Sequence, residues 1–551
     1  MKKIIECVPN FSEGRDLNII KQITDAIETV DGVKLLNVDP GKGTNRTVVT
    51  FVGEETEVVE AAFRAIKKAS ELIDMRKHTG AHPRFGAADV CPFIPIANAS
   101  MEDCIACAKK LGERVGKELK IPVYLYEYAA SASHRKNLAS VRAGEYEGIA
   151  QKIKTKDWKP DFGEPKRNEQ SGNIAIGARD FLVAYNVNLN TTSTRRANSV
   201  AFDVREQGRK NKNEKGEEVV EAGACKAVKG IGWFIPEYGV AQVSMNLTNI
   251  NITPVHVAFD ECVNSAYNRG MRVTGSELIG LMPLKAILDA GKYFLLKQQR
   301  STGVSEDELI KIAVKSMGLD ELVPFEPRKR IIEYMLEDEG VYPLLNMNLK
   351  KFANETASES PAPGGGSIAA YMGALGISLG TMVANLSSHK KGWDERWKEF
   401  SNYAEDGQKI KDELLNLVDE DTKAFNKIMD AFALPKNSDK EKANRKQAIQ
   451  DATKNAIEVP FRVMELSLKS FDVIKAMAET GNPNSVSDAG VGALCARSAV
   501  YGAWLNVKIN ATSYFDKRYT ARKLKKGKEI LDKAKELERK VLTIVERKIN
   551  S

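Results

Sequence analysis

Residues 75–96, MRKHTGAHPRFGAADVCPFIPI, hold the densest group of side chains that could do chemistry. The candidates in this segment are His78, His82, Arg84 and Asp89. Two histidines four apart can bind zinc from one helix face, but Gly80 and Pro83 disfavour a helix here. A loop whose histidines only form hydrogen bonds is the structural alternative. Because imidazole titrates near neutral pH and an arginine can hold an anion, the sequence favours acid–base chemistry over a metal site.

A carboxylate and an arginine flank a turn in residues 37–51, NVDPGKGTNRTVVTF. Asp39 ends one predicted strand and Arg46 begins the next, with DPGKG between them. The segment lacks the GK[ST] ending and the following helix of a phosphate loop, so a plain turn is the simplest interpretation. A carboxylate at the end of a strand is nevertheless well placed to orient a histidine, which makes Asp39 a second candidate.

Asp421 interrupts an apolar stripe in a predicted helix. The other members of the stripe are Leu414, Val418, Phe425 and Ile428, at steps of three or four residues. An unpartnered buried carboxylate is costly, so Asp421 should be partnered, protonated or part of a site. The alternative is that Asp421 lies at the edge of the stripe and reaches solvent.

Two nearly uncharged helical segments carry further candidates. In 361–380 three consecutive glycines open a helix, whose free N–H groups favour an anion or a carbonyl oxygen, although glycines also permit close packing. In 482–511 Ser487 and Asp488 resemble a helix start, and Asn506 lies near the helix end. Buried polar groups there would form either a hydrogen-bonded core or a ligand site.

The elements that position these residues divide the chain into two kinds of structure. Strand and helix patterns alternate through the first part, where residues 35–52 predict a hairpin and the two prolines of VCPFIPI predict an edge strand or a bulge. After about residue 327 nearly every segment is helical. We predict an α+β N-terminal part of two ferredoxin-like α/β sandwich subdomains, followed by an all-α helical bundle domain. The predicted bounds are 1–180 and 181–327 for the two subdomains, 328–344 for a linker and 345–551 for the helical domain.

Composition excludes several classes of protein. The 551 residues have a net charge of +8, with 42% hydrophobic and 28% charged residues, which is typical of a soluble globular protein. Seven cysteines with no paired CxxC motifs and no signal peptide predict reduced thiols in a cytoplasmic protein. No nucleic-acid module is present in the sequence. The uncharged run 360–388 is long enough to span a bilayer, but its Gly, Ser and Ala content favours a packed core helix over a membrane span.

Several stretches resemble known enzyme families. In the first part they are CVPNFSEGRD, HTGAHPRFGAADVCPFIPI, GARDFLVAYNVNL, DVREQGR, AQVSMNLT and GSELIGLMPLKAIL. In the second part they are PAPGGGSIAA, LVDEDTKAF, LPKNS and SDAGVGALCARSAVYGAWLNVKIN. On these stretches residues 1 to about 326 resemble glutamate formimidoyltransferase, and about 345–551 resemble formimidoyltetrahydrofolate cyclodeaminase. The whole resembles the family of fused enzymes of histidine breakdown.

The resemblance implies specific site residues. The transferase histidine falls on His82 and the cyclodeaminase aspartate on Asp421. The folate-contacting loop falls on Gly163, Glu164, Pro165, Lys166, Arg167, Asn168, Glu169, Gln170, Ser171 and Gly172. Beside the resemblance we hypothesise that Asp39 orients His82 and that Arg84 or Arg46 holds a glutamate carboxylate. Ser487, Asp488 and Asn506 are lower-ranked candidates for binding folate.

The resemblance also implies the reaction and the partners. The formimidoyl group would pass from N-formimidoyl-L-glutamate to tetrahydrofolate, and the product would cyclise to 5,10-methenyltetrahydrofolate with release of ammonia. Tetrahydrofolate, polyglutamylated in the cell, would be a co-substrate, and the chemistry requires no metal. The family implies self-association through the helical domain as a homo-octamer or another dimer-based ring, with no nucleic acid and no membrane span.

Three alternatives follow from the same residues. The first part could transfer a formyl group from N-formylglutamate, because the sequence does not distinguish an amidine from a formyl donor. The second part could act as a methenyltetrahydrofolate cyclohydrolase. A non-catalytic folate-binding scaffold is the third alternative, and Asp421 within an apolar stripe argues against it.

Overall fold

The structure is a computed structural model of the chain that describes residues 3–42, 45–80, 84–212, 217–236, 238–336 and 343–551. The chain forms two compact units. Unit 1 comprises Met1–Ile287 and Met317–Leu336, and unit 2 comprises Leu288–Ser316 and Glu337–Ser551. This partition does not test the predicted domain bounds, which stay predictions.

Unit 1 begins with a mixed sheet and helices that pack on both of its faces. Its strands are β1 (Ile4–Cys7), β2 (Asn10–Phe11), β3 (Lys34–Gly41), β4 (Arg46–Gly53), β5 (Ala88–Ala97), β6 (Val123–Glu127) and β7 (Ile174–Ala178). Its helices are α1 (Leu17–Glu28), α2 (Glu55–Leu72), α3 (Met101–Glu118), α4 (Leu138–Arg142) and α5 (Glu145–Lys152). Strands β3 and β4 form the predicted hairpin, β4 pairs with β1 and β2, and both of these pair with β5. Strands β7 and β6 extend the sheet in parallel beyond β5.

The order β3-β4-β1-β5 with two crossing helices is the ferredoxin-like βαββαβ arrangement. Strand β5 is therefore central, so the edge placement predicted from its prolines is wrong. The irregularity that the same prolines predict is present, because the register between β1 and β5 shifts at Ile4/Ile5. A second shift occurs between β2 and β5 at Asn10/Phe11.

Alternation along the strands gives this sheet two different faces. The face below α1–α3 is an apolar core that includes Ile5, Cys7, Val49, Phe51, Cys91 and Phe93. The residues at the intervening positions line a cavity instead, and they include Glu6, Val8, Asn10, Val48, Thr50, Val90 and Pro92. A period of two in the sequence thus separates the packing residues from those available for a site.

The second sheet of unit 1 repeats the arrangement. Its elements are β8 (Val183–Leu189), α6 (Thr194–Val204), β9 (Arg209–Lys212), β10 (Glu218–Glu221), β11 (Val228–Ile235), β12 (Val240–Leu247), α7 (Val255–Asn268) and β13 (Val273–Ile279). Strands β9 and β10 pair only with each other in the described residues. The remaining strands form an antiparallel sheet in the order β11-β12-β8-β13. This is again the ferredoxin-like order, as the sequence predicts.

Short and medium helices follow the second sheet. They are α8 (Leu284–Lys297), α9 (Glu306–Met317), α10 (Pro327–Arg330) and α11 (Ile332–Leu336). Unit 2 otherwise consists of α12 (Leu349–Thr356), α13 (Gly365–Ser388), α14 (Trp397–Ala433), α15 (Asp439–Thr480), α16 (Val486–Thr512) and α17 (Lys517–Ile549). A mixed α/β region followed by a helical region confirms the predicted fold class.

Helix α13 lies at the centre of unit 2, packed against α14, α15 and α16. Small residues allow this close packing, since a Cβ added at Gly376 would lie only 2.9 Å from the carbonyl oxygen of Gly492 in α16. Among the described residues α13 is the one helix long and apolar enough to cross a membrane by composition. The core helix of a soluble protein passes the same test, and 61% of the most apolar window of α13 is buried.

Candidate active sites

A cavity of about 860 Å³ lies within unit 1. One wall is the open face of the first sheet, with Glu6, Asn10, Asn37, Asp39, Arg46 and Tyr126. The rest of the lining comes from the segment after β7 and from the second sheet and the turn after β12, with Arg179, Asp180, Lys229, Asn246 and Asn249. Both Asp39 and Arg46 therefore line one space, and the hairpin β3–β4 brings them there.

Charged groups of both signs line the cavity, and they include three arginines. Arg46 contacts the side-chain oxygen of Asn10, and burial lowers its pKa to about 10. Arg142 also lines the cavity and forms an ion pair with Asp89, which is only 1% exposed. Together with Arg179 these guanidinium groups suit a ligand that carries carboxylates.

One acid in the cavity has an unusual environment. Glu6 is 3% exposed on the central strand β1. Burial raises the pKa of this carboxyl to about 7, Arg179 lowers it and Glu333 raises it further. A carboxyl group with this pKa changes its charge near neutral pH, which is the range in which catalytic and binding carboxyls work.

The segments on both sides of residues 81–83 are held by hydrogen bonds, and His82 itself lies outside the described residues. On one side the ring Nε2 of buried His78 lies 2.9 Å from the carbonyl oxygen of Asn45, and the Asn45 amide donates to Thr79 O at 2.9 Å. Asn45 directly precedes Arg46, which lines the cavity. The segment before residue 81 is thus fixed beside the cavity wall.

On the other side the chain is fixed to the predicted folate loop 163–172. The backbone N–H of Ala87 donates to Ser171 O at 2.8 Å, and Gly86 forms a bridge with Gly172. A Cβ at Gly172 would lie 2.6 Å from Phe85 O, and its φ is +68°, so this position requires glycine. The structure thus brings the folate loop and the sequence that follows residue 83 together.

The folate loop is shaped by its own polar side chains. Asn168 Oδ1 accepts the backbone N–H groups of Gln170 and Ser171 at 3.1 and 2.9 Å. Arg167 pairs with Glu169 at 2.7 Å and lies 4.8 Å from the ring centroid of Tyr146. None of residues 163–172 is among the described residues that line the cavity.

Arg84 belongs to the same neighbourhood as the loop and not to the cavity wall. Its guanidinium donates to His78 O at 2.6 Å and forms an ion pair with Glu147. The structure therefore separates the two candidate arginines. Arg46 lies in the cavity beside Asp39, whereas Arg84 fixes the ends of the segment that contains His82.

Unit 2 contains a different kind of site around Asp421 of α14. The backbone N–H of Ser367, in the first turn of α13, donates to this carboxylate. The Ser367 hydroxyl lies 2.8 Å from Val418 O and 3.3 Å from Asp421 Oδ2, so its single proton is shared between these two acceptors. A Cβ at Gly366 would lie 2.2 Å from Asp421 Oδ1, so the glycine leaves the space that the carboxylate occupies. Burial raises the pKa of Asp421, while the hydrogen bonds from Ser367 lower it.

The three acids of the DED motif have three different environments. Asp419 is 1% exposed and accepts backbone N–H groups of Leu344 and Leu345 at 3.0 and 3.3 Å. Glu420 pairs with Lys423 at 3.0 Å on the surface. Asp421 alone faces the glycine-rich start of α13. The predicted stripe around it is only partly correct, because Phe425 is 39% exposed and does not belong to the core.

The lower-ranked candidates of α16 divide into two groups. Asn506 lies near the Asp421 site, since a Cβ on Gly365 would lie 3.5 Å from its amide nitrogen. Ser487 and Asp488 are at the start of the same helix, about 27 Å away at 1.5 Å per residue. No described contact joins these two residues to Asp421, so the structure brings only Asn506 to this site.

No group of three or more His, Cys, Asp or Glu side chains suited to a metal occurs among the described residues. The seven cysteines are free, and six of them are buried.

Three family models match the chain in order. They are described as the N-terminal subdomain of the formiminotransferase domain over residues 4–179, the formiminotransferase domain over 184–337, and formiminotransferase-cyclodeaminase over 348–546. A formimidoyltransferase-cyclodeaminase of Dictyostelium discoideum is 42% identical over 547 residues, which are 99% of each chain.

The chain belongs to the formimidoyltransferase-cyclodeaminase family. The resemblance predicted from the sequence motifs is thereby confirmed. The chain also matches shorter proteins part by part. A glutamate formimidoyltransferase of Thermoplasma acidophilum is 44% identical over 294 residues, 53% of this chain and 92% of the relative. A methenyltetrahydrofolate cyclohydrolase of Methylorubrum extorquens is 36% identical over 205 residues, 37% of this chain and 99% of the relative.

Sequence reasoning missed most of the cavity. Glu6, Tyr126, Arg142 and Arg179 line it, and no motif singled them out. The alternation of IIEC does predict that Glu6 faces away from the core, but the same pattern describes any solvent-facing residue. The catalytic and folate-binding assignments to His82, Asp39, Asp421 and residues 163–172 stay predictions for this family member.

Proposed function

We propose that the chain catalyses two consecutive reactions of folate chemistry, one in each part. The first transfers the formimidoyl group of N-formimidoyl-L-glutamate to tetrahydrofolate, and the second cyclises the product to 5,10-methenyltetrahydrofolate with release of ammonia. The observation that carries this proposal is the match to formimidoyltransferase-cyclodeaminase over 99% of both chains. The chain is then a transferase and an ammonia-releasing lyase with tetrahydrofolate as co-substrate.

In the first reaction N5 of tetrahydrofolate attacks the amidine carbon of the donor. The N5–carbon bond forms, the bond from that carbon to the glutamate nitrogen breaks, and the proton of N5 passes to the departing nitrogen. We assign this proton transfer to His82, and we assign to Asp39 the role of orienting His82. The support is that the segments flanking residues 81–83 are anchored beside Arg46 and beside the folate loop. Arg46 in the cavity is the stronger candidate for a glutamate carboxylate, because Arg84 is engaged by His78 O and Glu147.

In the second reaction N10 attacks the carbon of the protonated N5-formimidoyl group. The N10–carbon bond forms, the bond to the terminal nitrogen breaks, and the proton of N10 passes to that nitrogen, which leaves as ammonia. We assign the transfer to Asp421, because a buried carboxyl with a raised pKa is better able to accept one proton and deliver it again. Asn506 and the first turn of α13 are the groups nearest to it that could contact folate.

Three further statements belong to the proposal. The folate carries a polyglutamate tail, for which the three arginines of the cavity offer suitable charge.

The chain assembles through its helical domain into a homo-octamer or another dimer-based ring, and light scattering of the purified chain tests this. The protein is cytoplasmic, as its free thiols suggest.

One assay tests the two reactions. The purified chain is supplied with N-formimidoyl-L-glutamate and tetrahydrofolate, and glutamate, ammonia and methenyltetrahydrofolate absorbance are followed separately. We expect glutamate, ammonia and methenyl product in equal amounts. Glutamate without ammonia would leave only the transferase, and the absence of all three products would contradict both reactions.

A second candidate for the helical part follows from its similarity to a methenyltetrahydrofolate cyclohydrolase over 99% of that relative. Such an enzyme adds water to the methenyl carbon, and the product is a 10-formyl compound. Purified methenyltetrahydrofolate distinguishes the two candidates. Its absorbance should persist with a cyclodeaminase and decay, at a rate proportional to the chain concentration, with a cyclohydrolase.

A further inference from the structure

The assigned steps leave one buried carboxylate of the cavity without a function. Glu6 faces the cavity from the middle of the first sheet, while its neighbours Ile5 and Cys7 face the apolar core. Its side chain is 3% exposed, and no described residue donates a hydrogen bond to it. A buried carboxylate without a partner is unfavourable in a free enzyme, so its presence is best explained by a ligand that supplies the partner.

The other acids of the cavity are less suited to the same ligand. Asp180 already accepts hydrogen bonds from the Tyr128 hydroxyl at 2.9 Å and the Asn249 amide at 2.8 Å. Asp39 is exposed to solvent, where an ion pair contributes little. Glu127 is only half-buried, and two cations, Lys229 and Arg179, already interact with it electrostatically. Glu6 therefore combines the deepest burial with an unoccupied carboxylate.

We propose that Glu6 binds the amidinium group of the formimidoyl donor and thereby selects an amidine donor over a formyl donor. This inference rests on the proposed transferase reaction. Substituted amidines are strong bases and are protonated at neutral pH. Their planar group presents N–H donors that match the two oxygens of a carboxylate, as a guanidinium does.

A formyl donor would be rejected at the same position. It has a carbonyl oxygen where the amidinium has an NH₂, so it offers no donor to ionised Glu6 and forms no ion pair with it. A site built for a hydrogen-bond donor rejects the analogue that lacks the donor, because its own polar group is then left unpaired. The arrangement thus decides between the two donors that the sequence leaves open.

The surrounding charges fit both ends of the donor. N-formimidoyl-L-glutamate has two carboxylates and one cationic group. Arg46 and Arg179 lie in the cavity with Glu6 and can hold the carboxylates, while Arg179 also favours the ionised form of Glu6. Burial raises the pKa of Glu6 to about 7, so an arriving cation favours the ionised form at a pH where the free enzyme holds both forms.

The test compares two donors in the full chain. kcat/KM is measured for N-formimidoyl-L-glutamate and N-formyl-L-glutamate, at saturating tetrahydrofolate, in the wild type and in Glu6→Gln. We expect Glu6→Gln to lower the value for the amidine donor about 100-fold and not to lower the value for the formyl donor, because the glutamine amide can donate to the formyl oxygen. Glu28→Gln, at an exposed carboxylate of α1, is the matched control and should change neither value.

A second measurement does not depend on the folding of a variant. N-acetimidoyl-L-glutamate and N-acetyl-L-glutamate have the same shape, and only the first carries an amidinium. As competitive inhibitors of the wild type, we expect the amidine to bind at least about 30-fold more tightly. Equal inhibition would overturn the inference, as would a Glu6→Gln chain in which the two donors lose activity in parallel. A wild type that releases no glutamate from N-formimidoyl-L-glutamate would instead refute the proposed transferase, and the inference with it.

Discussion

Glu6 in unit 1 and Asp421 in unit 2 are both carboxyls whose pKa is raised by burial, but their surroundings differ. Glu6 lies among cations, with Arg179 acting on it, and accepts no described hydrogen bond. No cation among the described residues shifts the pKa of Asp421, and Ser367 at the start of α13 donates hydrogen bonds to its carboxylate. The first environment suits a carboxylate that binds a cationic ligand. The second suits a group that accepts and returns a proton, because its hydroxyl and backbone donors stabilise the ionised form only in part.

The largest effect that this comparison predicts is at Asp421. Asp421→Asn keeps the shape but cannot carry a proton, so ammonia release from 5-formimidoyltetrahydrofolate should fall about 10³-fold. Release of glutamate from the donor should be unchanged, because that reaction is assigned to the other part. The measurement is the rate of methenyl absorbance with 5-formimidoyltetrahydrofolate as substrate.

The control for Asp421→Asn is Glu420→Gln, which removes the neighbouring surface acid of the pair with Lys423. It should retain nearly full activity. An Asp421→Asn chain that still releases ammonia at more than about a tenth of the wild-type rate would end the assignment of Asp421 as the proton carrier.

The sequence predicted the folds of both units better than the contents of their sites. The period-two pattern and the 35–52 hairpin predicted ferredoxin-like sheets, and the structure has them. The prolines of β5 misled because they do not lie at an edge. The carbonyl oxygen of Pro92 accepts the Val8 N–H at 3.2 Å, in the gap between β1 and β2. At this position the sheet needs no backbone N–H from residue 92, so a proline is tolerated.

The two carboxylates show why site prediction was uneven. Asp421 stands out because it interrupts an apolar helix pattern, even though Phe425 of that pattern is exposed. Glu6 alternates with Ile5 and Cys7, and alternation does not distinguish a face covered by a second subdomain from one in water. Only the tertiary structure shows that this face borders a cavity.

The next largest effect is on stability and concerns Glu6. Its pKa is raised from 4.5 to about 7, so ionising it in the folded chain is unfavourable. This cost is absent below pH 4.5, grows as pH rises, and is complete above pH 7. At 1.36 kcal/mol per pKa unit this free-energy cost amounts to about 3 kcal/mol. Because glutamine carries no charge, Glu6→Gln should raise the free energy of unfolding by this amount at pH 8. The neighbouring charges are Arg179, which opposes the rise, and Glu333, which adds to it.

Hydrogen exchange of first-sheet amides in the full chain measures this change. Glu6→Gln should raise the free energy of unfolding at pH 8 and leave it nearly unchanged at pH 4.5, while the exposed Glu28→Gln changes neither. A variant that is less stable at pH 8 would show that Glu6 is a structural residue and remove it from the comparison with Asp421.

A smaller effect is predicted for the glycine that makes room for Asp421. Gly366→Ala would place a Cβ 2.2 Å from Asp421 Oδ1 and force the carboxylate away from its hydrogen bonds. A misplacement of this size should lower cyclisation about 10²-fold. Gly365→Ala is the matched control, because its Cβ would meet only the Asn506 amide at 3.5 Å. Equal losses in the two variants would point to the helix start in general and not to Asp421.

The smallest predicted effect distinguishes the influence of burial on the pKa of Asp421 from the influence of hydrogen bonding. Ser367 donates from its hydroxyl to Asp421 Oδ2 at 3.3 Å and lowers the pKa that burial raises. Ser367→Ala removes this donor, so the pKa of Asp421 should rise further. If ionised Asp421 takes the proton of N10, the lower limb of the cyclisation pH profile should move to higher pH. Ser367→Thr retains a hydroxyl and should restore the wild-type limb, whereas a shift to lower pH in Ser367→Ala would show that the hydroxyl acts on Asp421 in the opposite sense.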